Sequence, residues 1–134
     1  MSKIVNISEA VSLALHSLAL IAKSEKIMNA GDIAVITRFS KNHLSKVLQV
    51  LVRNEYISST RGPKGGFTLN KEAKKISLLE VYEIFEGKIL NHYCALHTNN
   101  ECPFKKCVFG SLTGQFSRDF EMYLQHNTIA DLIN

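Results

Sequence analysis

Residues 59–67 of this chain of 134 residues are Ser59-Thr60-Arg61-Gly62-Pro63-Lys64-Gly65-Gly66-Phe67. The glycines and the proline are typical of a tight turn, and Arg61 and Lys64 give its tip two positive charges. The segments on either side, 56–60 and 67–69, are rich in β-branched and aromatic side chains, which favour strands. This stretch therefore predicts a β-hairpin with a basic, glycine-rich loop.

Two helices are predicted directly before this hairpin. The first has an Asn29 cap with Asp32 three residues later, and its expected inward residues are Ile33, Ala34 and Ile36. The second begins after a Ser40 cap and ends near Asn54, a residue type that tolerates the left-handed conformation. Its expected inward residues are Leu44, Val47, Leu48 and Leu51. Two helices followed by a basic hairpin predict a winged helix-turn-helix.

Further helices are predicted on both sides of this unit. The chain's first helix is capped by Asn6 or Ser8, and its apolar stripe is Val11, Ala14, Leu15, Leu18 and Ala22. A fourth helix begins at a capping box formed by Ser77 and Glu80 and stops at Gly87. Its apolar face is Leu78, Val81, Tyr82 and Phe85.

A long helix is predicted after Cys107, and Thr128 and Asp131 can cap a last turn with Leu132 and Ile133 inward. The aromatic-rich face of the long helix is Phe109, Leu112, Phe116, Phe120 and Tyr123. In so short a chain this face has few neighbours to cover it, so we expect it to pair with a second copy. The predicted fold is mainly α with a small β-wing, a winged helix-turn-helix followed by a long C-terminal dimerisation helix.

The charge of the chain is divided unevenly, although its formal net value is only +4. Up to Lys75 there are twelve basic and five acidic side chains, and from Ile76 onward there are four basic and seven acidic ones. A half with a charge of +7 joined to a half with −3 predicts that the first half meets a polyanion. The alternative is chance variation in solvated surface charge.

Composition excludes several classes of protein. Hydrophobic residues make up 46% of the chain, which is typical of a globular protein and not of a disordered or collagen-like one. No apolar run reaches the roughly eighteen residues that a membrane span needs. Because the first residues also lack the features of a signal peptide, we expect no secretion and a cytoplasmic location.

The helix after Ser40 and the hairpin tip carry residue types that contact DNA. A recognition helix places its first turns in the major groove, where short polar side chains reach base edges and cations meet phosphates. Residues 38–64 hold six basic side chains and one acidic one, Glu55, which favours DNA binding over a merely solvated helix face. The candidate DNA-binding residues are Ser40, Lys41, Asn42, His43, Ser45, Lys46, Arg61 and Lys64.

The three cysteines, Cys94, Cys102 and Cys107, all lie within fourteen residues. An odd number without a Cys-x-x-Cys pair argues against a disulfide framework and against a four-thiolate zinc site. Three thiolates on a polar loop suit an iron–sulfur cluster whose fourth ligand is not cysteine. The alternative is three unligated cysteines. An enzyme is not predicted, because the chain has no Gly-rich phosphate loop and no defensible nucleophile–base pair.

These features together resemble the iron–sulfur-regulated winged-helix repressors typified by the IscR and NsrR proteins. The resemblance lies in the hairpin, the helix after Ser40, segment 76–87, the cysteines and the tail at 128–132. It implies a homodimeric transcription regulator with crossing C-terminal helices, in which Asn42, Ser45 and Arg61 read the bases of a near-palindromic DNA operator. It also implies a [2Fe-2S] or [4Fe-4S] cluster on the three cysteines. The implied domains are 1–87 for DNA binding, 88–107 for the cluster-binding loop, and 108–134 for the dimerisation helix and C-terminal tail.

The chain departs from this family in its cluster ligands. The gaps between the cysteines are seven and four residues, whereas equal gaps are usual in the family. Gly110 stands where one branch has a histidine ligand, and Ser12 aligns with a carboxylate ligand of another branch. A third branch takes a histidine from the partner subunit at the position of His16. His16 is therefore the first candidate for the fourth ligand, and the other candidates are His92, His97 and Glu101.

The sequence therefore predicts a transcription regulator whose operator affinity is controlled by an iron–sulfur cluster that senses redox state, nitric oxide or iron/cluster status. A ligand supplied across the dimer would couple the cluster to the relative placement of the two DNA-reading units. Two alternatives stay open. His16 can be an ordinary hydrogen-bonded core histidine, and the cysteine loop of a winged-helix DNA-binding regulator can hold a structural zinc site or a thiol redox switch.

Overall fold

The computed structural model describes residues 7–90 and 103–134. Within these ranges, five α-helices surround one core, and a two-stranded sheet projects from it. The helices are α1 (Glu9–Lys23), α2 (Ala30–Thr37), α3 (Lys41–Arg53), α4 (Leu78–Glu86) and α5 (Leu112–His126). The strands are β1 (Ile57–Thr60) and β2 (Gly66–Leu69), and short 3₁₀ turns lie at Ala73–Lys75 and Ile129–Leu132. The predicted mainly helical fold with a β-wing is confirmed.

Short polar side chains set where the helices begin. Ser8 caps α1 by accepting a hydrogen bond from the Val11 amide at 3.2 Å, while Asn6 lies outside the described residues. Asn29 and Asp32 bond to each other's backbone amides at 2.8 and 3.0 Å, which is a complete capping box. The predicted caps at Asn29, Ser40 and Ser77 are all confirmed.

Helix α1 is the centre of the core. Its Leu13 and Leu18 are fully buried, as are Leu44 and Leu48 of α3 and Ile129 of the C-terminal turn. Each such side chain contributes about 1.5–3 kcal/mol through the hydrophobic effect. Because α1 contacts α3, α4 and the C-terminal turn, the core joins the helix-turn-helix to the end of the chain.

The hairpin is antiparallel, with Ile57 opposite Leu69 and Thr60 opposite Gly66. Its base is fixed to the α1–α2 connector, because the Phe67 amide donates a hydrogen bond to the Met28 carbonyl oxygen at 2.8 Å. A Cβ at Gly66 would lie 2.5 Å from that same oxygen, so the close approach needs glycine. The wing is therefore anchored to the connector as well as to α3.

The end of α3 differs from the prediction by one residue. Asn54 is the C-cap but has φ −89°, and Glu55 takes the left-handed conformation with φ 66°. The Glu55 amide bonds to the Val52 carbonyl and the Tyr56 amide bonds to the Leu51 carbonyl, both at 3.0 Å. These two bonds form a Schellman motif, whose left-handed residue follows the cap.

Three other expectations about the helices were wrong. Ile36 is 57% exposed and Leu132 is 46% exposed, although both were predicted to face inward. The last long helix begins at Leu112, because residues 107–110 form a turn that the Gly110 amide closes on the Cys107 carbonyl at 2.9 Å. Gly110 adopts φ 63°, which suits a glycine and interrupts the helical periodicity there.

The aromatic face of α5 is divided between the core and the surface. Phe120 packs edge-on against Tyr82 of α4, with ring centroids 5.4 Å apart. The other residues of the predicted face are about half exposed in the single chain, namely Phe109, Leu112, Phe116 and Tyr123. Helix α5 thus binds α4 through one side and leaves an apolar side uncovered. None of the helices in residues 7–90 and 103–134 is long and apolar enough to span a bilayer.

Candidate functional site

The first turns of α3 present polar side chains to the outside. Ser40 caps the helix by accepting a hydrogen bond from the His43 amide at 3.5 Å. Lys41, Asn42 and Lys46 are exposed, and Ser45 is half-buried beside the inward row that begins at Leu44. The first turns of α3 therefore leave cations and a carboxamide accessible to a ligand.

His43 has a neighbour that the sequence did not indicate. Its Nδ1 lies 3.4 Å from Oε1 of Glu9 in the first turn of α1, and 39% of its side chain is exposed. This contact places the imidazole beside the first turn of α1. No local pattern relates positions 9 and 43, because the pair forms only through the packing of α1 on α3.

The wing presents Arg61 and Lys64 at its exposed tip. The tip is a tight turn in which the Gly65 amide donates to the Gly62 carbonyl at 2.9 Å and Gly62 has φ 109°. A Cβ at Gly65 would collide with the carbonyl oxygen of Thr60. These glycines let the turn fold tightly enough to hold both cations at one end of the hairpin.

His16 is exposed in the single chain and is not a core residue. Its Nδ1 lies 2.6 Å from the Ser12 carbonyl oxygen, one turn earlier in α1. Because a carbonyl oxygen can only accept, Nδ1 is the donor in this hydrogen bond, and in the neutral tautomer that makes this bond Nε2 keeps a lone pair. An imidazole oriented in this way can accept a hydrogen bond or ligate a metal through Nε2.

The ring of His16 also contacts the segment that leads into α3. It packs edge-on against Phe39, with ring centroids 6.0 Å apart and an angle of 77° between the planes. Phe39 packs against the buried core and directly precedes the Ser40 cap. His16 therefore contacts the residue that immediately precedes the cap of α3.

A largely apolar groove of about 420 Å³ runs beside His16 between α1 and the C-terminal turn. Its lining residues are Leu15, His16, Ala19, Leu20, Lys23, Leu78, Leu132 and Ile133. The exposure of Leu132 is explained by this groove, because its side chain forms part of the wall.

Of the predicted cluster ligands, only His16 and Cys107 fall within the described part of the chain. Cys107 is exposed and lies in the turn before α5. The remaining candidates, Cys94, Cys102, His92, His97 and Glu101, lie outside the described residues. Residues 7–90 and 103–134 contain no group of three His, Cys, Asp or Glu that could hold a metal ion. A metal site on Cys107 would therefore draw further ligands from segment 91–102 or from a second chain.

Comparison with known proteins identifies relatives along almost the whole chain. A relative in Aquifex aeolicus, named as an HTH-type transcriptional regulator, is 28% identical over 130 residues, which cover 95% of this chain and 90% of the relative. The HTH-type transcriptional regulator NsrR of Shouchella clausii is 27% identical over 123 residues, covering 91% of this chain and 83% of the relative. The resemblance to NsrR-type regulators is thereby confirmed.

The solved structure of CymR, the global cysteine regulator of B. subtilis, shares the fold. It superposes with a TM-score of 0.81 at 23% identity and covers 96% of each chain. The family described as "Rrf2: Iron-dependent Transcriptional regulator" matches residues 7–134. The chain therefore belongs to the Rrf2 family and is a transcriptional regulator built on a winged helix-turn-helix.

Proposed function

We propose that this regulator is a homodimer whose affinity for its operator is set by an iron–sulfur cluster held by Cys94, Cys102 and Cys107, with His16 of the partner subunit as fourth ligand. The signal would be redox state, nitric oxide or iron/cluster status. The hydrogen bond from His16 Nδ1 to the Ser12 carbonyl is the observation that carries the proposal. The iron-dependent description of the family supports it.

The side chains of His16 and Cys107 have the ligand chemistry that an iron–sulfur cluster needs. Histidines that ligate metals usually donate their other ring N–H to a carbonyl or carboxylate, which is the state of His16. Cys107 is exposed and so can supply a thiolate. The free Nε2 of His16 and the thiol of Cys107 are the two kinds of ligand that a mixed Cys/His cluster site needs.

When bound, the cluster would supply a centre whose ligation or oxidation state changes with the signal. His16 would respond by keeping or losing the bond at Nε2, which fixes or frees its ring. The ring packs on Phe39, and Phe39 leads into the Ser40 cap of α3. A shift of His16 would thus be transmitted over two residues to the start of the recognition helix.

DNA binding would use α3 and the wing together. We assign base contacts to Asn42, Ser45 and Arg61, since carboxamide, hydroxyl and guanidinium groups read base edges. The remaining candidates would contact the backbone, because exposed cations bind phosphates and position the protein. They are Ser40, Lys41, His43, Lys46 and Lys64. Among them, His43 would first have to leave Glu9, which lies 3.4 Å away.

The exposed side of α5 supports the homodimer. Phe116 is 51% exposed and Tyr123 is 59% exposed in the single chain, together with Phe109 and Leu112 on the same helix and the turn before it. An uncovered apolar side of a helix is a common dimerisation surface. A second copy would cover it and would bring a second His16 into the assembly.

A thiol switch is the second candidate. The exposure of Cys107 favours it, because an accessible thiol can be oxidised or exchanged without any metal. CymR, which shares the fold, is a global regulator of cysteine. In this case Cys107 and a second cysteine would form a disulfide, and their two electrons and two protons would pass to an oxidant such as a peroxide. A structural zinc site on the cysteine loop is the remaining alternative.

One experiment tests these functions together. The protein is purified without oxygen, and iron, acid-labile sulfide and zinc are measured on the dimer seen by native mass spectrometry. The proposal expects a coloured protein with about one cluster per chain, and a changed DNA affinity when the cluster is removed. Zinc without sulfide, or a colourless protein after anaerobic reconstitution, would contradict it. Cys107→Ser is the matched variant that should lose the cluster.

A further inference from the structure

A second cavity lies between the wing and the α1–α2 connector. Its volume is about 550 Å³. The connector side is formed by Lys26, Ile27, Asn29 and Asp32, and the wing side by Pro63, Lys64 and Gly65. The two walls are joined at their base by the hydrogen bond from the Phe67 amide to the Met28 carbonyl. This hydrogen bond fixes the wing and the connector relative to each other at the base of the cleft.

The backbone of Lys26 is held in place. Its amide donates to Ser24 Oγ at 3.1 Å, and that hydroxyl donates to the Lys26 carbonyl at 2.7 Å. Lys64 stands on the opposite wall in the tight turn of the wing tip. Two lysines therefore line one cleft, and both project from backbone segments held by hydrogen bonds.

The charge of the cleft favours an anion. Within the described part of the chain, neither Lys26 nor Lys64 forms an ion pair. The one carboxylate in the lining, Asp32, is engaged by the Asn29 amide at 3.0 Å in the capping box of α2. The lining thus contains two lysines and one carboxylate, and that carboxylate already accepts a hydrogen bond.

We propose that this cleft binds a backbone phosphate of DNA, with Lys26 on one wall and Lys64 on the other. The inference rests on the proposed DNA-binding role of the wing, and it adds Lys26 to an interface that the sequence limited to α3 and the hairpin. One wall of the cleft is formed by residues of the wing tip, Pro63, Lys64 and Gly65, so a DNA strand bound at the tip would lie next to it. Lys26 would contribute affinity without reading sequence.

The test is Lys26→Met in the full chain, with binding to a random-sequence DNA duplex measured over a series of salt concentrations. Loss of one phosphate contact should make the slope of log K against log salt shallower by about 0.9, which corresponds to roughly fivefold to tenfold weaker binding near 0.1 M salt. Lys26→Arg keeps the charge and should retain the wild-type slope.

Lys74→Met is a control that removes one exposed lysine away from the cleft, in the 3₁₀ turn before α4, where Lys74 pairs with Glu72 at 3.3 Å. A wild-type slope for Lys26→Met, or an equal loss for Lys74→Met, would overturn the inference. Lys64→Met distinguishes failure of the phosphate site in the cleft from failure of the DNA-binding role proposed for Lys64. If Lys64→Met weakens binding and Lys26→Met does not, the proposed phosphate site in the cleft is wrong, while the contact of Lys64 with DNA stands. If neither does, the phosphate contact proposed for Lys64 fails as well, and Arg61→Ala then decides whether the wing binds DNA at all.

Discussion

The hydroxyl of Tyr56 donates a hydrogen bond to Oε1 of Glu80 over 2.7 Å, which joins the end of the recognition helix to α4. The other carboxylate oxygen of Glu80 accepts hydrogen bonds from the amide and the hydroxyl of Ser77, both at 3.0 Å. The ammonium of Lys71 lies 4.5 Å from the centre of the Tyr56 ring. The carboxylate of Glu80 therefore helps to cap α4 and also holds Tyr56, the residue directly before strand β1 of the wing.

We expect this pair to be worth about 1–3 kcal/mol of folding free energy, as is usual for a hydrogen bond to a charged group. Tyr56→Phe removes the donor and Glu80→Gln removes the charge. The measurement is a double-mutant cycle on the free energy of unfolding from urea titrations. A positive coupling energy is expected, whereas strictly additive losses would show that the charge of Glu80 does not strengthen the hydrogen bond, since a glutamine oxygen can still accept from Tyr56.

The same carboxylate makes stability depend on pH. Burial raises the pKa of Glu80, but the hydrogen bonds from Tyr56 and Ser77 and the charge of Lys71 outweigh it, so the pKa lies below its ordinary value. A depressed carboxyl pKa gives stability that is complete above the unfolded pKa, about 4.3, and is lost as the pH falls through the folded pKa.

The advantage of the wild type over Glu80→Gln should therefore shrink as the pH falls below about 4.3. Unfolding titrations of both proteins between about pH 3 and about pH 7 measure this difference. A difference that stays constant over the range would mean that the charge of Glu80 is not what stabilises the junction.

Local chemistry explains which parts of the fold were predictable. The caps at Asn29, Ser40 and Ser77 and the turn of the wing depend on residues a few positions apart, so the sequence specifies them directly. The inward or outward orientation of Ile36 and Leu132 depends on what packs beside them. Periodicity in such short elements does not specify those neighbours, and both predictions failed.

In the candidate site, too, local features were predictable from the sequence and contacts between distant residues were not. The exposed cations of α3 and the wing followed from helix capping and glycine chemistry. The contacts of Glu9 with His43 and of His16 with Phe39 join positions far apart in the chain, and only the packing of α1 against the helix-turn-helix produces them. They were therefore invisible in the sequence.

Arg61→Ala should weaken binding to the operator by about 1–3 kcal/mol more than binding to random DNA, because a guanidinium that reads a base contributes only at the right sequence. The operator for this measurement is a duplex selected by the wild-type protein from a random pool. Lys64→Ala is the control and should weaken both duplexes equally. An equal loss for Arg61→Ala on both would reduce Arg61 to a phosphate contact.

Phe116→Glu should convert the proposed dimer to a monomer, because it places a charge in the centre of the uncovered apolar side of α5. Light scattering coupled to size-exclusion chromatography gives the mass directly. Gln115→Glu adds the same charge at the adjacent exposed position and should leave the dimer intact. If Phe116→Glu keeps the wild-type mass, α5 is not the dimerisation surface.

His16→Ala should alter the visible absorption of the reconstituted cluster or lower its iron content, while circular dichroism shows that the fold is kept. The reason is that the free Nε2 of His16 is the proposed fourth ligand, held by the bond from Nδ1 to the Ser12 carbonyl. His126→Ala is a close control, since His126 is also exposed and its Nδ1 lies 2.8 Å from the Met122 carbonyl one turn earlier in α5. If the spectrum of His16→Ala equals that of His126→Ala and of the wild type, the fourth ligand must be sought among His92, His97 and Glu101.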